Sequence, residues 1–168
     1  GRFAWENTLA QPRRRQETVL IGMEDGPAST DNQLYMYVGE KDYHWRASPM
    51  ERNGLVGGKM YVFVSDTAGV TTEEHFFALA TPSNPNPTIS GHWVEIPSPE
   101  LLTDSELETA SDALGGFGFV RTEDGAFNPQ DPDEYYFVTT GTGGPNQLGA
   151  MYKMRLNRRN PAGVATIQ

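Results

Sequence analysis

Gln33-Leu34-Tyr35-Met36-Tyr37 returns in outline as Lys59-Met60-Tyr61-Val62-Phe63 and again as Ala150-Met151-Tyr152-Lys153-Met154. Each run alternates an apolar residue, a tyrosine and then an aromatic or methionine two positions on, and each follows turn-forming residues, the pattern of a β-strand. Short β units recurring with matched tyrosines are the mark of propeller blades or a similar radial array. The expected fold is all-β: β-propeller-like blades, forming a partial or small propeller, with one short helix, in a single domain over residues 1–168. A blade takes roughly 40–50 residues, which leaves room for about three or four, so closure needs either the whole chain or partner blades.

Around these runs, Thr18–Met23, Leu34–Val38, Lys59–Ser65, His75–Ala80, His92–Ile96, Glu134–Thr140 and Ala150–Leu156 read as strands. Lys59–Ser65 carries Tyr61 and Phe63 on one face and Met60, Val62 and Val64 on the other, so it is expected to be buried on both sides, as between stacked sheets. Asp104–Leu114 reads as the helix: Thr103 and Glu106 make a capping box, Leu107, Ala110 and Leu114 share a face, and Gly115-Gly116 stops it. Gly1–Gln16 and the tail beyond Asn160-Pro161 read as irregular, and Thr81–Pro87, with three prolines, as a loop.

Two places concentrate carboxylates. Arg121 leads into Thr122-Glu123-Asp124-Gly125, and about a hundred residues earlier stands Met23-Glu24-Asp25-Gly26. In both, a Glu-Asp pair on the exit of an apolar run precedes a glycine, and a tyrosine-rich strand follows. Taken singly, each is as readily a β-turn with its glutamate in water. The duplication at equivalent places points instead to a shared centre for hard cations, which take oxygen ligands from carboxylates, carbonyls and water. For Arg121 two readings stand side by side: a bidentate clamp on phosphate, or a neutralising partner for Glu123.

The composition excludes other chemistries. With 13 Lys and Arg against 22 Asp and Glu the chain carries −9, so nucleic acid and anionic membranes are poor partners. The cluster Arg13-Arg14-Arg15 reads as a solvated loop. With no cysteine there is no disulfide, thiolate metal site or cysteine nucleophile. His44, His75 and His92 are too dispersed for a zinc motif. Gly141–Gly144 lacks the Lys-Ser/Thr and helix of a P-loop. There is no Gly-x-Ser-x-Gly, no run long enough to span a membrane, and no signal peptide. Trp5, Trp45 and Trp93 read as packing residues rather than a sugar platform. The start at Gly1 suggests a processed or excised piece of a longer protein.

Five segments in order carry a resemblance: Gly1-Arg-Phe-Ala-Trp-Glu6; Val19-Leu-Ile-Gly-Met-Glu-Asp25; Gln33-Leu-Tyr-Met-Tyr-Val-Gly39; Arg121-Thr-Glu-Asp-Gly-Ala126 with Tyr136-Phe-Val-Thr-Thr140; and Met151-Tyr-Lys-Met-Arg155. Together they resemble the C-terminal part of the PhoX-type alkaline phosphatases. The resemblance implies a secreted, periplasmic or extracellular β-propeller that hydrolyses phosphate esters with calcium and iron held by carboxylates. It implies metal-bridging roles for Glu24 and Glu123 and a match at Glu6, while the Glu-Asp pairs themselves add Asp25 and Asp124 as candidate metal ligands. Arg121 and Glu123 become the catalytic pair, Arg121 on a phosphate oxygen. The family's cysteine ligand for iron has no counterpart here, so this chain alone is expected to lack a complete centre. The alternative function is a non-catalytic, calcium-stabilised extracellular β module that self-associates through open blade edges; a carbohydrate-binding propeller ranks behind both.

Overall fold

The structure, a computed structural model, describes residues 4–13, 16–24, 31–141 and 148–168. Among them nine strands join one antiparallel sheet: β1 (Trp5–Ala10), β2 (Glu17–Glu24), β3 (Leu34–Glu40), β4 (Lys59–Ser65), β5 (Ile89–Glu95), β6 (Thr122–Phe127), β7 (Glu134–Thr139), β8 (Ala150–Arg155) and β9 (Ala165–Ile167). Their spatial order is β1-β2-β3-β4-β5-β9-β8-β7-β6. This is two up-and-down meanders, β2 to β5 and β6 to β9, with β1 added beside β2. They are joined where Ile89 faces Ile167 and Gly91 faces Ala165. The sheet curls until β6 returns to β1 and β2. There Asn7 Nδ2 donates to Asp124 Oδ1 at 2.6 Å, and the Thr122 hydroxyl donates to the Glu24 carbonyl at 3.0 Å. The result is a nearly closed, barrel-like sheet with a seam between β1 and β6.

The all-β expectation holds. A four-stranded meander is the repeating unit of a propeller, but the units number two where three or four were expected, and they share one continuous sheet. The tyrosine runs fall on β3, β4 and β8, so they mark a common strand chemistry rather than equivalent strands of a repeat.

Burial follows the alternation in the sequence. Leu34, Met36 and Phe63 point into the main core with Ile21, Phe117, Phe119, Phe137 and Tyr152, while Tyr35, Met60 and Val62 face a second cluster with Ile96 and Leu107. The two-sided burial of β4 is therefore present, but its outer cover is a helix, α3 (Asp104–Ala113), instead of a second sheet. The capping box of α3 forms as expected, and Gly115, at φ +84°, ends it. On β2, Gly22 is required by a close approach: a Cβ there would stand 2.6 Å from the ring of Trp5.

Two shorter helices precede α3, α1 (Pro49–Arg52) and α2 (Glu73–Phe77). The strand expected at His75–Ala80 is thus corrected to a helix. The Thr72 hydroxyl caps it by accepting from the His75 amide, and Glu73 and Glu74 favour its positive N-terminal end. The irregular stretch expected at the start contains β1, the tail contains β9, and Thr122–Gly125, expected as a loop, opens β6. Trp5 and Trp93 pack as expected, against Tyr35 and Phe63. Trp45 does not: it is 72% exposed, under the Arg46 guanidinium. Among the described residues no helix is long and apolar enough to cross a membrane.

The two ends of the curled sheet are also clasped by charge. Asp133, almost wholly buried, receives Arg13, Gln11 and the Arg158 Nε, the last at 3.0 Å. Arg13 therefore leaves the solvated loop expected for it, while Arg14 and Arg15 lie outside the described residues. Arg158 is largely exposed and Arg13 partly so, and losing Asp133 removes their charge-assisted hydrogen bonds without stranding a buried charge, at a cost of about 2–3 kcal/mol. Asp133→Ala is expected to lower the thermal midpoint by roughly 5–10 °C, read by circular dichroism; a drop of under about 2 °C would show that the clasp is dispensable.

Candidate functional site

The seam owes its acidic character to two β-bulges. On β6, Thr122 pairs with Thr139 and Gly125 with Phe137, so Glu123 and Asp124 together oppose a single residue, Val138. On β1, Trp5 pairs with Glu24 and Asn7 with Met23, leaving Glu6 as the extra residue. A bulge re-aims side chains that a regular strand would alternate. The two strands that carry these bulges face each other, and β2 ends beside them at Glu24.

Arg121 reaches β6 through a left-handed turn, φ +55°, unusual for a non-glycine residue and held from both sides. Its amide donates to Asn32 Oδ1 at 2.9 Å, and its carbonyl accepts from the Thr140 amide at 3.1 Å. Its Nη2 donates to Glu123 Oε1 at 3.3 Å, and the Thr140 hydroxyl donates to the same oxygen at 2.8 Å. The guanidinium is half exposed, and such a surface pair contributes about 0–1 kcal/mol. Both readings of Arg121 therefore remain compatible with its position: it pairs with Glu123, and the pair is weak enough to yield to a phosphate. Asp124 is engaged by Asn7 and by the following amide. Glu6 is exposed in its bulge. Asp25 lies outside the described residues.

Glu24 differs from these. Its side chain is fully buried; Oε2 accepts from the Gln33 amide at 2.7 Å, while Oε1 has no hydrogen-bond partner. Burial pushes its pKa up to about 8, against the pull of the Gln33 amide and the Asn32 side chain and with added repulsion from Glu108 and Asp31. The last two belong to an acidic surround that the sequence reading missed. Asp104, Glu108 and Asp112 recur every four residues and so share one face of α3. Glu108 and Asp112 are both raised, by burial first and then by neighbouring carboxylates. Gln33 ties the group together, its Nε2 donating to the Asp31 carbonyl at 2.9 Å and to Asp112 Oδ1 at 3.1 Å. The signal was present as three acidic residues spaced four apart.

The Thr122 hydroxyl on the Glu24 carbonyl ties the end of β2 to the strand that carries Arg121 and Glu123, while the Glu24 carboxyl group itself faces Gln33, Asp31 and Glu108. Glu24 and Glu123 are not equivalent positions of a repeat, since Glu24 closes β2 while Glu123 opens β6. An orphaned, buried carboxylate oxygen is the donor a hard cation takes up, and calcium collects roughly six to eight such oxygens. Among the described residues no three His, Cys, Asp or Glu side chains converge as a metal cluster. The described residues fit part of a ligand set.

A continuous antiparallel sheet, curled so that the strand carrying Arg121 and Glu123 is tied to the end of β2 at Glu24, defines an all-β, barrel-like domain. Residues 1–164 match the family described as alkaline phosphatase PhoX. The chain belongs to that family. Among solved structures it is similar to Pseudomonas fluorescens PhoX in complex with vanadate, a transition state analogue, with a TM-score of 0.66 and 19% identity. The likeness covers 99% of this chain and 31% of that one, so the chain spans about a third of the length of the structure it matches. No curated protein matches.

Proposed function

We propose that this chain contributes part of the centre of a secreted, periplasmic or extracellular PhoX-like phosphomonoesterase that depends on calcium. The observation that carries this reading is the half-exposed Arg121–Glu123 pair on a strand that Thr122 ties to Glu24, whose buried Oε1 lacks a hydrogen-bond partner. Arg121 grips the phosphoryl oxygens, its planar fork suiting two of them at once. Glu123, fixed by the Thr140 hydroxyl, keeps that fork oriented until substrate arrives. Glu24, Glu123, Asp124 and Glu6 present carboxylates to metal, and Asp25 follows Glu24 directly in the chain. Calcium, when bound, supplies positive charge against the phosphoryl oxygens and relieves the burial of Glu24. An iron site calls for ligands beyond this chain, which holds no cysteine. Vanadate bound to the similar PhoX structure supports a phosphoryl-binding reading here.

The non-catalytic calcium-stabilised module that self-associates through its edges is less well supported, because the edge strands β1 and β6 face each other across the seam. Hydrolysis of p-nitrophenyl phosphate by the 168-residue chain, with calcium and then with a chelator, separates the two. Calcium-dependent turnover, falling at least about 100-fold in Glu123→Gln, would establish the enzyme and show that a neighbouring subunit completes the centre. A chain that never turns over substrate, yet melts earlier in chelator, sinks the enzyme reading and leaves the module.

A further inference from the structure

A second buried carboxyl group holds the residue before Arg121, and contacts from Val120, Thr139 and Tyr152 converge on it from separate elements. Glu73, the first residue of α2, is fully buried. Its Oε2 accepts from the Val120 amide at 2.7 Å; its Oε1 accepts from the Thr139 hydroxyl at 2.7 Å and from the Tyr152 hydroxyl. Its own amide donates to the Gly118 carbonyl at 2.8 Å, and Gly118 in turn donates to the Thr71 carbonyl at 3.0 Å. Residues 118–120 are thereby stitched to the start of α2, one residue short of Arg121. Thr139 is the residue paired with Thr122 across the sheet, and Thr140 holds Glu123.

From this geometry we propose that Glu73 is a positioning residue for the phosphate-gripping arm: it fixes Val120 and Thr139, and through them the approach of Arg121 and Glu123, without touching substrate. The inference rests on the phosphate-site reading given above. An arm that enters through a left-handed residue cannot be held by local preference, because that conformation is disfavoured for arginine. It has to be over-determined by its surroundings, and Glu73 with Asn32 supplies what the loop itself lacks. The assignment also explains a buried carboxyl group in an otherwise apolar cluster of Phe76, Phe119 and Tyr152, where an unpartnered one would be costly.

The three acceptor contacts make specific demands on substitutions. Glu73→Met keeps the length and removes every acceptor. Glu73→Gln keeps an oxygen for the Val120 amide, and its NH2 can be accepted by the two hydroxyls. Tyr152→Phe removes one bond to Glu73 but leaves Val120 held. In the full chain with calcium, binding of inorganic phosphate by calorimetry is expected to weaken about ten- to hundredfold in Glu73→Met, the scale set by misplacing a reactive group by about an ångström. Amide hydrogen exchange at residues 120–123 should quicken at least about tenfold relative to β3 and β4. Glu73→Gln should stay within about twofold of the parent in affinity. Tyr152→Phe should lower the thermal midpoint while leaving the affinity in place.

Wild-type affinity in folded Glu73→Met would overturn the inference alone, as would a Tyr152→Phe loss of affinity equal to that of Glu73→Met, which would reveal general destabilisation. Should Glu73→Met not fold, Glu73→Asp takes its place, too short to reach Val120 and both hydroxyls together, with the same expected loss. A parent chain that binds no phosphate at all would overturn the site reading and this inference with it.

Discussion

Raising the pH from about 5 to about 8 in the presence of a chelator is expected to destabilise the protein through Glu24. Its folded pKa is raised, from 4.5 to about 8, so the folded state binds a proton that the unfolded state has already released across that window. A raised folded pKa means stability that is fully present below the unfolded value and lost as pH climbs through the folded one. The span is about 3.5 pH units at about 1.4 kcal/mol each, on the order of 5 kcal/mol for this fully buried group. Glu108 and Asp112 are shifted in the same direction and add to the fall; Asp131 and Glu134, held low chiefly by the Arg155 and Tyr136 hydrogen bonds respectively, act in the opposite sense at lower pH. The difference between parent and Glu24→Gln isolates the one group. The variant should show a flatter profile and exceed the parent's stability near pH 8, and calcium should restore the parent there but not the variant. Denaturant unfolding at several pH values checks this. Equal slopes in parent and variant, or a parent that gains stability between those pH values, would sink it.

Phe119→Ala is expected to be the most damaging single truncation, costing about 3–5 kcal/mol, or roughly 10 °C in thermal midpoint. Phe119 is wholly buried, and its ring centroid lies 4.7 Å from that of Phe117, 5.2 Å from Phe137 and 5.6 Å from Tyr152. Its backbone also exchanges hydrogen bonds with Asn32, the residue whose side chain holds the Arg121 amide. The same substitution should therefore loosen the arm as well as the core. A loss of under about 1 kcal/mol in denaturant unfolding would mean that the neighbouring rings collapse into the space.

The chain disclosed its strands where burial imposed a period and concealed them where pairing did the work. β3, β4, β7 and β8 were legible because their apolar residues alternate over six or seven positions. β6 was not: Thr122-Glu123-Asp124-Gly125 has the composition of a turn, and it is a strand only because β7 lies beside it and a bulge absorbs the extra residue. β9 is three residues long, too short for any periodicity. α2 was hidden because Phe76 and Phe77 suggest a strand, while its helix signal lies in the capping Thr72 and the acidic first turn ahead of them. In the candidate site, Glu24, Glu123 and Arg121 were singled out from local pattern together with resemblance, and in the structure Glu24 ends β2 while Glu123 and Arg121 lie at the start of β6, the two joined through Thr122. Glu73 was invisible in that reading, since what makes it notable is burial and proximity to residues far away in the chain, whereas Glu108 and Asp112 left a local trace as acidic residues recurring every four positions.

The contacts that close the seam join residues 98 and 117 positions apart. Such long-range closures are slow in folding, because the loop entropy is spent before the contact returns anything. A ribosome-bound chain that has extruded β6 but not β9 holds both halves of the seam without the strands that join them, so the closing contacts at Glu24 and Asp124 are among the last the sheet can make.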